Sequence, residues 1–207
     1  LRLGVFLRSL GTTDFGRFCL FIFCLMFAVN VCGPYFGVYL LKGLGFSYTG
    51  FMLVTMSFMV ISFFAMGYWG RIADRYGARA IMIAAGVSIP VVALGAILFK
   101  SLPGLMLMQI FSGFVWAGFN LAASNFVFEA VRREHVPDAW AYFNSTLNLA
   151  AFLGTLCGGI LIDMVETVDL PFFAPGNFEL LFIISALLRA VVFILFARFF
   201  LDARRSE

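Results

Sequence analysis

The chain has 207 residues, of which 63% are hydrophobic and 12% are charged, and its formal net charge is +3. The mean hydropathy of +1.02 excludes an ordinary soluble domain and predicts a polytopic membrane protein. All four cysteines lie inside apolar runs, where neither a disulfide framework nor a tetrahedral metal site is normally built. We therefore expect no metal, and we expect no cofactor. Because the basic residues are distributed by membrane side, the net positive charge implies no nucleic-acid partner.

Six apolar runs are each long enough to cross a ~30 Å hydrocarbon core as a helix, so we predict an all-α bundle of six transmembrane helices. Residues 1–17, which mix apolar and basic side chains, are interpreted as a cytoplasmic linker or interfacial segment, and residues 202–207 as a cytoplasmic tail. The predicted spans are residues 18–41, 47–69, 80–99, 104–128, 140–162 and 178–201.

The first span carries Asn30, Pro34 and Tyr35 in its outer half, and the proline favours a bend there. A charged stretch of ten residues follows the second span, with the sequence Gly-Arg-Ile-Ala-Asp-Arg-Tyr-Gly-Ala-Arg over residues 70–79. Its arginines cannot enter lipid, which predicts a short cytoplasmic loop between two antiparallel helices.

This stretch resembles the signature loop of the major facilitator superfamily of secondary transporters. The matching residues are Gly70, Asp74, Arg75, Gly77 and Arg79, whereas Ile72 replaces the usual leucine. The resemblance implies a gating loop in which Asp74 contacts the start of the fifth span, at residues 138–141, where free helix N–H groups favour an anion.

The resemblance extends over the whole chain. It implies the second six-helix half, helices seven to twelve, of a bacterial transporter of unknown substrate, built as a 3+3 inverted repeat. The first residue is Leu rather than Met, so we expect a longer protein that also contains the N-terminal six-helix half. In this family the substrate binds near the midplane between the halves, and one half rocks against the other.

Polar and aromatic residues recur at spacings of three or four on the fourth and fifth spans, which places each set on one helical face. Lipid offers no hydrogen bonds, so these amides must turn toward other helices or water. By resemblance these helices line the central cavity. The predicted substrate pathway comprises Asn30, Tyr35, Gln109, Trp116, Asn120, Asn144 and Asn148. Hydrogen bonding between helices is the alternative role of such residues. The fifth span also contains Gly154-x-x-x-Gly158, which permits close helix contact.

Arg189 lies near the middle of the sixth span, where an unpaired arginine costs roughly 2.5 to 3.5 kcal/mol. Glu179 on the same helix is about 15 Å away along the axis, too far for a partner. Because the family's last helix is peripheral, we predict that Arg189 is a structural intramembrane charge.

Six spans that start inside place every arginine except Arg189 on the inner side, and Lys42 and Lys100 on the outer side. The positive-inside rule therefore predicts an integral protein of the bacterial inner membrane with both termini in the cytoplasm.

The predicted function is secondary active transport of a small solute by alternating access, with the bilayer and that solute as partners. An intramembrane serine protease would need a histidine base within the membrane, and the only histidine, His135, falls in a loop, so we predict no enzyme. Two alternatives remain open: a non-transporting membrane scaffold or interaction module, and a half-transporter that acts as a dimer.

Overall fold

The computed structural model of the protein describes residues 11–166 and 178–202. These residues form helices and turns and contain no strand, which confirms the all-α prediction. Five of their helices are long and apolar enough to cross a membrane. Most of the predicted N-terminal segment, the predicted tail and the predicted outer connection before the last span lie outside the described residues.

We number the helices in chain order as α1 Asp14–Gly43, α2 Tyr48–Leu98, α3 Leu102–Glu129, α4 Val136–Glu166 and α5 Phe178–Asp202. The first three are each preceded by a residue that suits a helix N-cap: Thr13, Ser47 and Ser101. The side-chain oxygen of each accepts a hydrogen bond from the backbone N–H three residues later. A short 3-10 turn, Arg133–His135, precedes α4.

α1 changes its winding at the position where the sequence predicts a bend. It is α-helical over Asp14–Cys32, forms a 3-10 turn at Gly33–Tyr35 and ends in a π turn at Tyr39–Gly43. Pro34 lies within the 3-10 turn and has no backbone N–H to donate to the preceding turn. The regular α-helical pattern is therefore interrupted there.

The long helix α2 is a hairpin of two arms, residues 48–76 and 78–98. Gly77 between them has a φ of 78° and a ψ of 161°, a backbone conformation that is essentially confined to glycine. Leu102, only a few residues beyond the end of α2, packs against Gly50 near its start. Both ends of α2 are thus at the same end of the bundle, because the chain reverses at Gly77.

The contacts of the two arms with α3 agree with this reversal. Along the first arm the contacts advance with α3, since Ile61 meets Gly113 and Trp69 meets Gly118. The second arm runs antiparallel to α3. Gly95, before the connection at Ser101, packs on Met108, which lies after it. The two arms are therefore antiparallel to each other, and both pack against α3.

The predicted loop at residues 70–79 is wrong in extent. The first arm remains helical to Tyr76, and the turn is confined to Gly77. Charged side chains keep a segment out of lipid, but arginine is a good helix former and does not break a helix. Only the conformation at Gly77 interrupts the helix.

With α2 folded back, the described chain crosses the bundle six times. α4 runs parallel to α1, because Gly154 meets Phe27 and Gly158 meets Val31. α5 runs against α1, from the ring contact of Phe182 with Tyr39 to that of Phe196 with Phe21. The first three crossings and the last three therefore start at opposite ends, as a 3+3 inverted order requires.

α1 contributes buried residues to the apolar core at both of its ends. Near its start, Phe18 and Phe21 are fully buried and pack against Phe126 and Phe119 of α3. Near its end, the buried Tyr39 packs against α5 and donates its hydroxyl to Ala96 O. Two aromatic clusters, one at each end, therefore attach α1 to its neighbours.

α1 and α4 meet through glycines. A Cβ added at Gly154 would lie 2.5 Å from Phe27 O, and one added at Gly158 would clash with Val31 O. These are backbone atoms that cannot move aside as a side chain would. The close contact that the glycine pattern permits is thus made between these two helices.

The two ends of the bundle differ in charge. The end at which α1 begins and α2 reverses, here called the arginine end, carries Arg17, Arg71, Arg75, Arg79, Arg132 and Arg133. The opposite end, the lysine end, carries Lys42 and Lys100. Lys100 Nζ lies 3.1 Å from Glu179 Oε1, and Glu179 is fully buried at the start of α5.

Candidate functional site

The predicted polar face of α3 divides into a half-buried part and an exposed part. Gln109 and Trp116 are half-buried and line a cavity of about 170 Å³. Asn120, one turn further along, is exposed at the surface of the bundle. Gly113, which lies between Gln109 and Trp116 in the sequence, packs on the first arm of α2. The face therefore begins in the cavity and ends on the outer surface.

The predicted polar face of α4 is exposed. Asn144 and Asn148 both lie on the surface, and each donates an amide N–H to a carbonyl of its own helix, Trp140 O at 2.9 Å and Asn144 O at 2.8 Å. Neither side chain bonds another helix within the described part of the chain. Their amide oxygens and second N–H groups remain available to solvent or a ligand.

The two predicted residues of α1 make different contacts. Asn30 is half-buried and donates to Met26 O of its own helix at 2.8 Å. The Tyr35 hydroxyl donates to Thr155 O of α4 at 2.9 Å. Tyr35 thus links α1 to α4, and its donor is used within the protein.

Arg189 of α5 points into the bundle, where 4% of its surface is exposed. Its guanidinium donates to Ser185 Oγ at 3.1 Å, to Ile89 O at 3.3 Å, and to Val29 O at 3.4 Å. It also lines the cavity that Gln109 and Trp116 line. The sequence predicts a structural role for this arginine, apart from the substrate pathway, whereas the structure places it in the same cavity wall as Gln109 and Trp116.

The residues of the signature stretch cluster around the reversal of α2. Gly70 lies in the first arm, Gly77 forms the turn, and Arg79 lies near the start of the second arm. Arg75 lies over the ring of Tyr76, 5.3 Å from its centroid. Asp74 is exposed, and within the described residues it has no hydrogen-bond or ion-pair partner. The predicted contact of Asp74 with the start of α4 remains a prediction.

Two residues that support the site were not identified from the sequence. Ser185 accepts from Arg189 and donates to Ala28 O, and Cys32 Sγ lies 3.2 Å from Arg189 Nη2. Ser185 is four residues before Arg189, so helical spacing would have placed both on one face. No sequence signal pairs Arg189 with Cys32, because that contact depends on how α1 packs against α5.

Comparisons with known proteins agree with this architecture. The family model of the Major Facilitator Superfamily matches residues 18–207. No curated protein matches the chain.

Proposed function

Because the chain belongs to the Major Facilitator Superfamily, we propose that it carries a small solute across the membrane by alternating access. Members of this family are membrane transporters rather than enzymes. In our proposal the described helices are the C-terminal half of the transporter and supply one wall of the central cavity. A second six-helix half supplies the other wall.

The exposed amides of α3 and α4 are the observation that carries this proposal. Asn120, Asn144 and Asn148 lie on the outside of a bundle whose other exposed surface is largely apolar. An amide in hydrocarbon has no partner for its free N–H and C=O groups and costs about 1 to 3 kcal/mol by protein mutational data. These side chains therefore suit a water-filled cavity between two halves better than a lipid-facing surface.

The charge difference between the two ends supports an orientation. In our proposal the arginine end faces the cytoplasm and the lysine end faces outward, because positively charged loops are retained on the cytoplasmic side. Both termini are then cytoplasmic, and the membrane is a bacterial inner membrane.

The reversal of α2 has a gating role in this proposal. Asp74 is exposed at the arginine end, where a change of state can bring it to the start of α4. The free N–H groups of that helix start attract a carboxylate. The contact would close the cytoplasmic side and stabilise the outward-facing state.

A substrate screen in proteoliposomes tests the proposal. The protein that contains this chain is reconstituted, solutes are screened for uptake, and Asn120→Leu and Asn144→Leu are compared with the parent. Loss of one hydrogen bond to the solute is worth about 1 kcal/mol, so we expect uptake at low solute concentration to fall about 5-fold.

Ser57→Leu is the matched control. The Ser57 hydroxyl also donates to its own helix, to Leu53 O, but it lies on the first arm of α2. Uptake by the Ser57→Leu variant should equal uptake by the parent protein. Unchanged uptake in both asparagine variants, with normal folding, would remove these residues from the pathway, and no uptake of any solute would favour a non-transporting scaffold.

A further inference from the structure

Every acceptor that Arg189 contacts in the described part of the chain is neutral. Its Nε donates to Ser185 Oγ, its Nη1 to Ile89 O, and its Nη2 to Val29 O and Cys32 Sγ. A guanidinium has five N–H donors. Within the described residues, four of these donors meet the partners named above, and one N–H on Nη1 is left over.

Among the residues that the structure describes, no carboxylate balances the charge of Arg189. Glu179 is on the same helix but about 15 Å away along the axis, and it pairs with Lys100. Within the described residues, no other acid forms an ion pair with Arg189. A full positive charge is therefore buried among carbonyl dipoles, a serine hydroxyl and a thiol, which is costly unless an anion joins it.

The cavity beside Arg189 has a size and a lining that suit a small amphipathic ligand. Its volume of about 170 Å³ is close to the ~150 Å³ of an engineered cavity that admits benzene. Beside Arg189, Gln109 and Trp116, apolar side chains complete much of the wall, among them Phe36, Met108 and Phe182. Gly33, which is exposed, also lines the cavity, so the cavity reaches the surface of the bundle.

We propose that this cavity binds a small organic monocarboxylate, with its carboxylate on Arg189 and its apolar body against the aromatic wall. The free Nη1–H and the charge attract the carboxylate, and the Gln109 amide supplies a second donor. The proposal rests on the transport function, since the bound anion is the class of solute that is carried. Arg189 then acts as a binding residue as well as a structural charge.

Ligand binding to the purified protein tests the site without requiring transport. The protein that contains this chain is titrated in detergent with benzoate, and melting temperature and heat of binding are recorded. Benzamide, of the same shape but uncharged, and sodium chloride are titrated in parallel. We expect a saturable rise in melting temperature with benzoate only. Equal binding of benzamide, binding of chloride without benzoate, or no binding of benzoate would each overturn the proposal.

Two variants assign the binding to the cavity. Arg189→Gln removes a charge-assisted hydrogen bond, and we expect benzoate affinity to fall about 10-fold to 100-fold. Gln109→Leu should weaken it about 5-fold, and because Gln109 is half-buried, this variant decides the question if Arg189→Gln does not fold. Arg71→Gln, an exposed arginine at the arginine end, is the control and should bind as the parent does.

Transport and binding can fail separately. If benzoate binds but no solute of any class is taken up, the transport proposal is wrong and the site stands. If other solutes are taken up while benzoate affinity is absent or unaffected by Gln109→Leu, the anion site is wrong and transport stands.

Discussion

Gly77 is the residue on which the reversal of α2 depends. Its φ of 78° and ψ of 161° fall in a region that other residues enter only under strain. Among the described residues, no neighbouring atom lies within 4 Å of the position that its Cβ would take, so the constraint comes from the backbone and not from packing.

We expect Gly77→Ala to lower the free energy of unfolding by about 1 to 3 kcal/mol, because alanine at this φ is strained. Thermal unfolding in detergent measures the change. Gly67→Ala is the matched control, since Gly67 is helical and a Cβ there meets open space. The control should leave stability equal or slightly higher. Equal stability of both variants would contradict the role of Gly77.

The pair Lys100 and Glu179 is a second feature at this scale. The Glu179 side chain is 1% exposed and that of Lys100 is 52% exposed. Lys100→Met should lower the free energy of unfolding by about 1 to 3 kcal/mol. This lies between the loss expected on breaking an exposed ion pair and the loss expected on breaking a buried one.

Lys42→Met is the control for that measurement, because Lys42 is exposed at the same end and forms no ion pair within the described residues. In thermal unfolding, Lys100→Met should have a lower melting temperature than Lys42→Met. If both behave as the parent does, the buried Glu179 does not need Lys100.

At the scale of the elements, two glycines of α4 allow α1 and α4 to approach closely. Gly154 and Gly158 face backbone carbonyls of α1, and the Tyr35 hydroxyl bonds Thr155 O beside them. The spacing of four residues puts both glycines on one face of α4. The backbone contact is therefore continuous over one helical turn.

Gly158→Ala should separate these helices, because its Cβ would clash with Val31 O. Overpacking of this kind costs typically about 1 to 3 kcal/mol and occasionally more. We expect a lower melting temperature in detergent, again compared with Gly67→Ala, which adds the same methyl group in open space. A melting temperature equal to that of the control would show that α1 and α4 can separate at no cost.

At the scale of the whole molecule, the two ends and the exposed polar face together indicate how the bundle sits in the membrane. The arginine end should be cytoplasmic, and the lysine end should face outward. With Cys19, Cys24, Cys32 and Cys157 replaced by serine or alanine, single cysteines at Lys42 and Arg133 test this in intact cells. A membrane-impermeant maleimide should label position 42 and spare position 133. The opposite pattern would invert the proposed topology.

Gating is also a property of the whole molecule, because it requires two states. If Asp74 closes the cytoplasmic side, Asp74→Asn should shift the balance toward the inward-facing state, since an amide is attracted less by the start of α4. Accessibility of cysteines introduced into the inner cavity measures the balance. Arg71→Gln, at the same end of the first arm, is the control. An unchanged balance in Asp74→Asn would leave the stretch a topogenic element only.

Much of the architecture could be predicted from the sequence, and the candidate site only in part. Apolar length and periodicity predict helices and their exposed amides. The turn at Gly77 is shorter than the charged stretch predicts, because charge excludes a segment from lipid but does not end a helix. The position of Arg189 in a shared cavity wall was missed, because helical spacing says nothing about which neighbour a face meets.

The composition and order of residues predict an all-helical membrane bundle with arginines and lysines at opposite ends, since both follow from the transfer free energies of single segments. The transporter family is indicated by the signature stretch at residues 70–79 and by the family match over residues 18–207. Only the tertiary structure decided that Gln109, Trp116 and Arg189 surround one cavity while Asn144 and Asn148 face outward. These positions depend on the rotation of each helix about its axis, and that rotation is set by the packing of glycine against backbone and of aromatic rings against one another.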